Sequence, residues 1–223
     1  MASTLNPFGI LPVWHPSGEI RSTGYRSTGS ADLLIPSGTN VNIYKGQPVK
    51  LIIGSGSTVN GVTVPTGSVV IGPVTGTSDK VAGIFAGVEF YDATNKPTVL
   101  DFWPASQTLF AGQPQTVYLW DDPEIIYRAQ MDGQYSVGGA LGYSLVGKQV
   151  NISLLSVGSV LNGSTLTGLS QGAISQTAVA TSSQGQFRIV KVFDPNVNTT
   201  ADLYPVYEIK TVLSPYIAAQ TSV

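Results

Sequence analysis

Residues 81–133 read VAGIFAGVEFYDATNKPTVLDFWPASQTLFAGQPQTVYLWDDPEIIYRAQMDG. Three runs in this stretch alternate with a period of two. Ile84, Ala86, Val88 and Phe90 share one face, opposite Phe85, Glu89 and Tyr91. Val117 and Leu119 oppose Tyr118 and Trp120. Ile125, Tyr127, Ala129 and Met131 oppose Ile126, Arg128 and Gln130. Alternation in segments rich in aromatic and β-branched residues predicts half-buried strands. Asp121-Asp122-Pro123-Glu124 separates the last two runs. Asp side chains bond nearby backbone N–H groups and Pro pre-sets φ, so these residues read as a turn. The last two runs are expected to pair as a hairpin, with Trp120 and Tyr127 near one end. Two or three strands cannot bury both faces, so the flanking sequence must supply partners.

Outward from that stretch the strand signals continue. Val41 and Ile43, then Val49, Leu51 and Ile53, then Val62–Val64, Val69–Ile71 and Thr98–Trp103 read as strands between Gly- and Pro-containing breaks. Breaks every eight to twelve residues are the spacing of sandwiches and barrels. Pro48 marks an edge or a strand start. Residues 150–160 offer another strand, and residues 163–186, rich in Ser, Thr, Gly and Gln, read as a long loop with a short helical turn near Ala173–Ala180. Alternation returns at Phe187–Phe193 and Leu203–Leu213, where Pro205 argues for an edge. The class is all-β: a sandwich or barrel, jelly-roll-like arrangements included, with an extended N-terminal arm and long loops.

Residues 1–40 differ from the rest. Four prolines and five glycines from position 7 on interrupt them, yet Leu5, Phe8, Ile10, Leu11, Val13 and Trp14 crowd ten positions without helical spacing. A disordered tail would lack such residues. The segment reads as an extended arm that orders by laying apolar side chains on a surface: its own body, a sister subunit or another protein. The division expected is an arm over 1–40, a body over 41–213 and a tail over 214–223.

Composition narrows the function. Charged residues are 11% of the 223-residue chain, against a usual share of about 25%. Low charge suits assembly contacts, where a buried unpaired charge costs several kcal/mol. It equally suits a neutral surface covered with Ser and Thr. The net charge is −2 and the cations are scattered, which argues against direct nucleic-acid binding. The start of the chain does not read as a secretory signal, and no apolar run is long enough to span a membrane.

The reactive inventory is thin. Cys is absent and His15 is the single histidine. A Ser–His–acid triad would need His15, which lies in the expected arm. Asp121, Asp122 and Glu124, with Asp92 and Asp101 nearby, are the remaining chemistry. They allow a glycosidase pair or an oxygen-rich calcium loop, although the turn reading accounts for them. Trp103, Tyr118, Trp120 and Tyr127 offer either core or a sugar platform. No cofactor, catalytic or metal residue is assigned, and the chain is read as a non-enzyme.

VAGIFAGVEFYD, DFWPA, VYLWDDPEIIYRAQMDG, TGLSQ, QFRIVKVFDPNVN and YPVYEIK together resemble the capsid cement or decoration proteins of tailed bacteriophages. Tyr118–Pro123, Trp103-Pro104 and Arg188-Ile189 match the motifs of that family, whereas Lys191 stands where Gly is more usual. The likeness covers roughly residues 41–213. It implies a structural virion protein on the head surface, made in the bacterial host cytoplasm. It would bridge subunits of the major capsid protein and act as a homo-oligomer, trimer or dimer. On that reading Phe8, Ile10, Leu11, Val13 and Trp14 of the arm make the shell contact, and removing residues 1–20 leaves a folded body that no longer decorates. The alternative is a tail or fibre module that binds host-surface glycans.

Overall fold

The computed structural model describes residues 7–28, 34–133, 145–153, 163–194 and 203–217. Its strands are β1 (Leu11–Trp14), β2 (Thr23–Arg26), β3 (Pro48–Ile53), β4 (Thr58–Val59), β5 (Val62–Thr63), β6 (Val69–Pro73) and β7 (Gly83–Tyr91). They continue with β8 (Pro97–Leu100), β9 (Thr116–Trp120), β10 (Ile126–Gln130), β11 (Gln149–Ser153), β12 (Ala173–Ala178), β13 (Phe187–Val192) and β14 (Val206–Thr211). One sheet has the order β1-β10-β14-β13-β11-β12, and a second β2-β9-β7-β3-β6, with β8 beside β7. β4 and β5 form a small separate hairpin. The all-β expectation holds in its sandwich-like form, and among the described residues no sheet closes into a barrel. The first sheet does curl: Met131 bridges Ile174, and the Asp132 N–H donates to the Ile174 carbonyl at 2.9 Å, bringing β12 back to the end of β10.

The central hairpin does not form. β9 lies between β2 and β7, and β10 lies between β1 and β14, so both edges of each strand are already taken. Asp121–Glu124 is a corner that carries the chain from one sheet to the other, closed by the Ile125 N–H to the Asp122 carbonyl at 3.2 Å. The two runs serve different cores. Tyr127, Ala129 and Met131 join Ile10, Phe187, Ile189, Tyr207 and Ile209 inside the curled sheet. Val117 and Leu119 join Phe85, Val88, Phe90 and Trp103 on the far face of the second sheet.

A bulge in β7 explains that partition. The register with β9 shifts between Phe85 and Gly87. The extra residue reverses the alternation, so Phe85 shares a face with Val88 and Phe90, while Ile84 enters the other core. The face expected to hold Ile84, Ala86, Val88 and Phe90 together is therefore split.

Other expectations shift for local reasons. Val41–Ile43 reduces to one bridge, with Ile43 and Trp103 exchanging backbone bonds of 3.0 and 2.7 Å. The helical turn near Ala173–Ala180 is strand β12, because Ile174 and Ala178 pair with Ile152 and Val150. Pro205 precedes an interior strand, β14, where its missing N–H costs no ladder bond and its carbonyl accepts from Met131 at 2.9 Å. Of the strand expected over residues 150–160, the part up to Ser153 belongs to β11, and residues 154–160 lie outside the described residues.

The N-terminal segment is part of the body over residues 7–28. β1 pairs antiparallel with β10 and β2 with β9, giving each sheet an edge strand from the expected arm. Of the three surfaces open to it, the segment takes its own fold.

Candidate functional site at the corner between the sheets

The corner residues Asp121–Glu124 collect both N-terminal strands. Asp121 Oδ1 accepts from Thr23 Oγ1 at 2.7 Å, and its other oxygen accepts a short hydrogen bond from the Tyr25 hydroxyl. Burial, and then that bond to Asp121, push the Tyr25 phenol well above its ordinary range. The Tyr216 hydroxyl stands 3.4 Å from that of Tyr25. Asp122 Oδ1 caps the turn by accepting from the Glu124 N–H at 2.8 Å, and Oδ2 lies 3.1 Å from His15 Nε2. Glu124 Oε1 accepts from Lys210 Nζ of β14 at 2.9 Å. The three carboxylates thus engage separate sets of partners, and they do not converge as a calcium loop or a catalytic pair would. Among the described residues no group of three or more His, Asp or Glu could hold a metal. Asp92 is spent on its own turn, bonding the Thr94 N–H and hydroxyl and the Lys96 N–H, and Asp101 pairs with Lys45 at 3.0 Å.

His15 does meet a serine and an acid. Its Nδ1 lies 2.6 Å from Ser17 Oγ and accepts from the Ser17 N–H at 3.1 Å, while Nε2 faces Asp122. The order Ser17–His15–Asp122 imitates a triad, but the surroundings do not. Acyl transfer needs backbone donors aimed at a developing oxyanion. Here the Ser17 N–H is held by His15 Nδ1, and the Gly18 N–H by the His15 carbonyl at 2.9 Å. The group fastens the end of β1 to the corner. Beside it opens a cleft of about 320 Å³ lined by His15, Ser17, Glu19, Arg21, Thr23, Asp122 and Ile125.

The five apolar residues predicted to grip a shell divide. Ile10 is fully buried in the main core, and its N–H donates to the Gly46 carbonyl at 2.8 Å. It offers nothing to a partner. Gly9 permits this seat: at φ +79° a Cβ there would lie 2.9 Å from Ser170 Cβ and 3.0 Å from the Gly46 carbonyl oxygen. Phe8 is half-buried, with the Arg128 guanidinium 5.2 Å from its ring and 5.6 Å from that of Phe193. Leu11 and Val13 are half-buried, and Trp14, at 53% exposure, alone faces solvent.

The aromatic platform also disperses. Trp103 and Tyr127 are buried, and Trp120 packs on the main core, which leaves Tyr118 on an open face. Sequence alone does not single out Thr23, Tyr25 or Tyr216. Tyr25 sits inside RSTGYRSTG, a short polar repeat with a Gly closing each copy, where a loop is the natural reading. Its alternation with Thr23 is the one signal that could have found it. Comparison of the chain with protein-family models, with curated proteins and with solved structures finds no match.

Proposed function

We propose that this chain is a structural virion protein of a tailed bacteriophage that binds the outer surface of the head and bridges neighbouring major capsid subunits. The observation that carries the reading is Trp14. It is a large aromatic, 53% exposed, at the end of an edge strand held on one side by buried Ile10 and on the other by the His15–Asp122 contact. A residue whose backbone is already held in a strand loses less entropy on contact than one in a free arm, and Trp is among the strongest interface anchors. The sequence resemblance points the same way, and the low charge of the chain is compatible with it. As a homo-oligomer, dimer or trimer, it would present several such strands at once. Selective binding to the assembled shell stabilises that state by mass action, and linked copies add avidity.

Removing residues 1–20 cannot test this, because it takes β1 and Ile10 out of the fold. Trp14→Ala can. Undecorated heads are sedimented with wild-type or variant protein and bound copies are counted. Loss of a central anchor costs about 2 kcal/mol, roughly 30-fold in affinity, while stability changes by about 0.5 kcal/mol or less. Undiminished occupancy removes Trp14 from the contact. Wild-type protein that maps to the tail in an electron cryo-microscopy reconstruction overturns the head assignment.

A further inference from the structure

The second sheet is only partly covered by the first. Contact falls at the Ile84–Trp120 end, where both side chains join the main core. Beyond it, among the described residues, the same face carries mostly half-buried or exposed positions across β2, β9, β7 and β8. Paired residues on neighbouring strands share a face, so the register gives its composition. One rung is Gly24–Tyr118–Gly87. The next is Arg26–Thr116–Glu89–Val99, and beyond it Tyr91 pairs with Pro97. The bulge in β7 is what brings Gly87, Glu89 and Tyr91 to this side.

Tyr118 is the centre. A glycine stands opposite it on each neighbouring strand, so no cross-strand side chain flanks its ring. The ring lies down over Gly24, where a Cβ would be 3.2 Å from Cε1. Its hydroxyl donates to Glu89 Oε2 at 3.2 Å, which fixes its orientation and leaves Oε1 to accept from elsewhere. Arg26 is exposed on the edge strand and makes no ion pair among the described residues. Thr116 lies between Arg26 and Glu89, whose backbones are about 10 Å apart across two strand spacings. Arg26, Glu89, Tyr91, Pro114, Thr116 and Tyr118 line a shallow cleft of about 280 Å³.

We propose that this cleft binds a neutral oligosaccharide, one sugar ring stacking on Tyr118 while adjacent hydroxyls bond Arg26 and Glu89. The chemistry selects that class. A flat ring with no cross-strand side chain beside it offers an apolar face to the C–H side of a sugar. A carboxylate acceptor and a guanidinium donor on opposite sides suit hydroxyls, which both donate and accept. Arg26 and Glu89 cancel in charge, so the site gains nothing from an anion or from nucleic acid, which needs clustered cations. One carboxylate is too few for a divalent cation. The site is independent of the contact at Trp14, so its failure would leave head binding untouched.

The test uses the whole chain labelled with nitrogen-15 and four probes: maltotetraose, cellotetraose, chitotetraose and mannotetraose. Saturable shifts of the Arg26, Glu89 and Tyr118 amides are expected with at least one probe, at a Kd on the order of 1 mM. Tyr118→Ala and the exposed-site Arg26→Ala should each weaken it about tenfold or more. Arg26→Ala should melt like the wild type, so it stands as the control if Tyr118→Ala folds poorly. No saturable shift with any probe, or binding that both variants leave unchanged, overturns the proposal. So does sedimentation showing a dimer that Arg26→Ala dissociates, since a second copy would then cover the face.

Discussion

Ile10→Ala separates an N-terminal strand that belongs to the fold from an arm that merely rests on it. Ile10 is fully buried, in the cluster that holds Tyr127, Tyr207 and Ile209. The substitution removes three carbons, about 2.4 kcal/mol of transfer free energy at ~0.8 kcal/mol each. A cavity term adds to this, because β1 is tied to β10 and to the Gly46 carbonyl and cannot collapse freely. The expected loss is about 3 kcal/mol, within the range for buried Ile→Ala changes. In a domain of this size that lowers Tm by about 6–12 °C. Urea unfolding followed by far-ultraviolet circular dichroism measures it, with Trp14→Ala, at the other end of the same segment, as the exposed control. A loss below about 1 kcal/mol for Ile10→Ala would refute the claim that β1 is a structural strand.

Two further substitutions test how the body is tied together. Gln186 is fully buried: its Oε1 accepts from the Ile152 N–H at 2.9 Å, and its Nε2 donates to the carbonyls of Gly76 and Asp79 at 2.9 and 3.0 Å. Gln186→Leu strands those backbone groups and should cost about 3 kcal/mol in urea unfolding; an unchanged midpoint would mean that the latch contributes nothing. Burial opposes the charge of Asp79, but the hydrogen bonds from Lys50 Nζ and from the Thr75 and Gly76 N–H groups outweigh it, holding the carboxyl below its usual range. A depressed carboxyl stabilises the fold above its unfolded pKa of about 4, and that contribution is lost as pH falls through the folded value. Asp79→Asn should therefore melt lower than wild type at pH 7, and the gap should close on acidification below about pH 4; a gap that persists at low pH contradicts the assignment.

Period-two alternation locates most of the strands because it reports burial on one face, which needs no knowledge of partners. It identifies the runs that become β7, β9, β10, β13 and β14. It is silent on pairing. Val117–Trp120 and Ile125–Met131 read as a hairpin because proximity in sequence favours one, yet each strand has two other neighbours to satisfy. β12 is hidden because Ser175, Gln176 and Thr177 make its second half look like a loop, whereas its buried half, Ala173–Ile174, is too short to show a period. The corner is legible as a turn but not as a hub, since Thr23, Tyr25 and His15 reach Asp121 and Asp122 from about a hundred residues away.

The deeper loss is parity. Alternation assigns faces only while the ladder is regular, and register shifts interrupt it between Pro12 and Trp14 in β1 and between Phe85 and Gly87 in β7. Each extra residue turns the remainder of its strand to the other side. In β1 this moves the chain from Pro12, opposite buried Tyr127, to exposed Trp14, opposite Ile126. In β7 it sends Phe85, Val88 and Phe90 inward together, and leaves Gly87, Glu89 and Tyr91 on the open face beside Tyr118. Both surfaces proposed for binding are thus produced by the same device. A single inserted residue turns the rest of its strand over, and so decides which side chains that strand presents to a partner. That is why the strands can be found by counting, while the residues they present outward cannot.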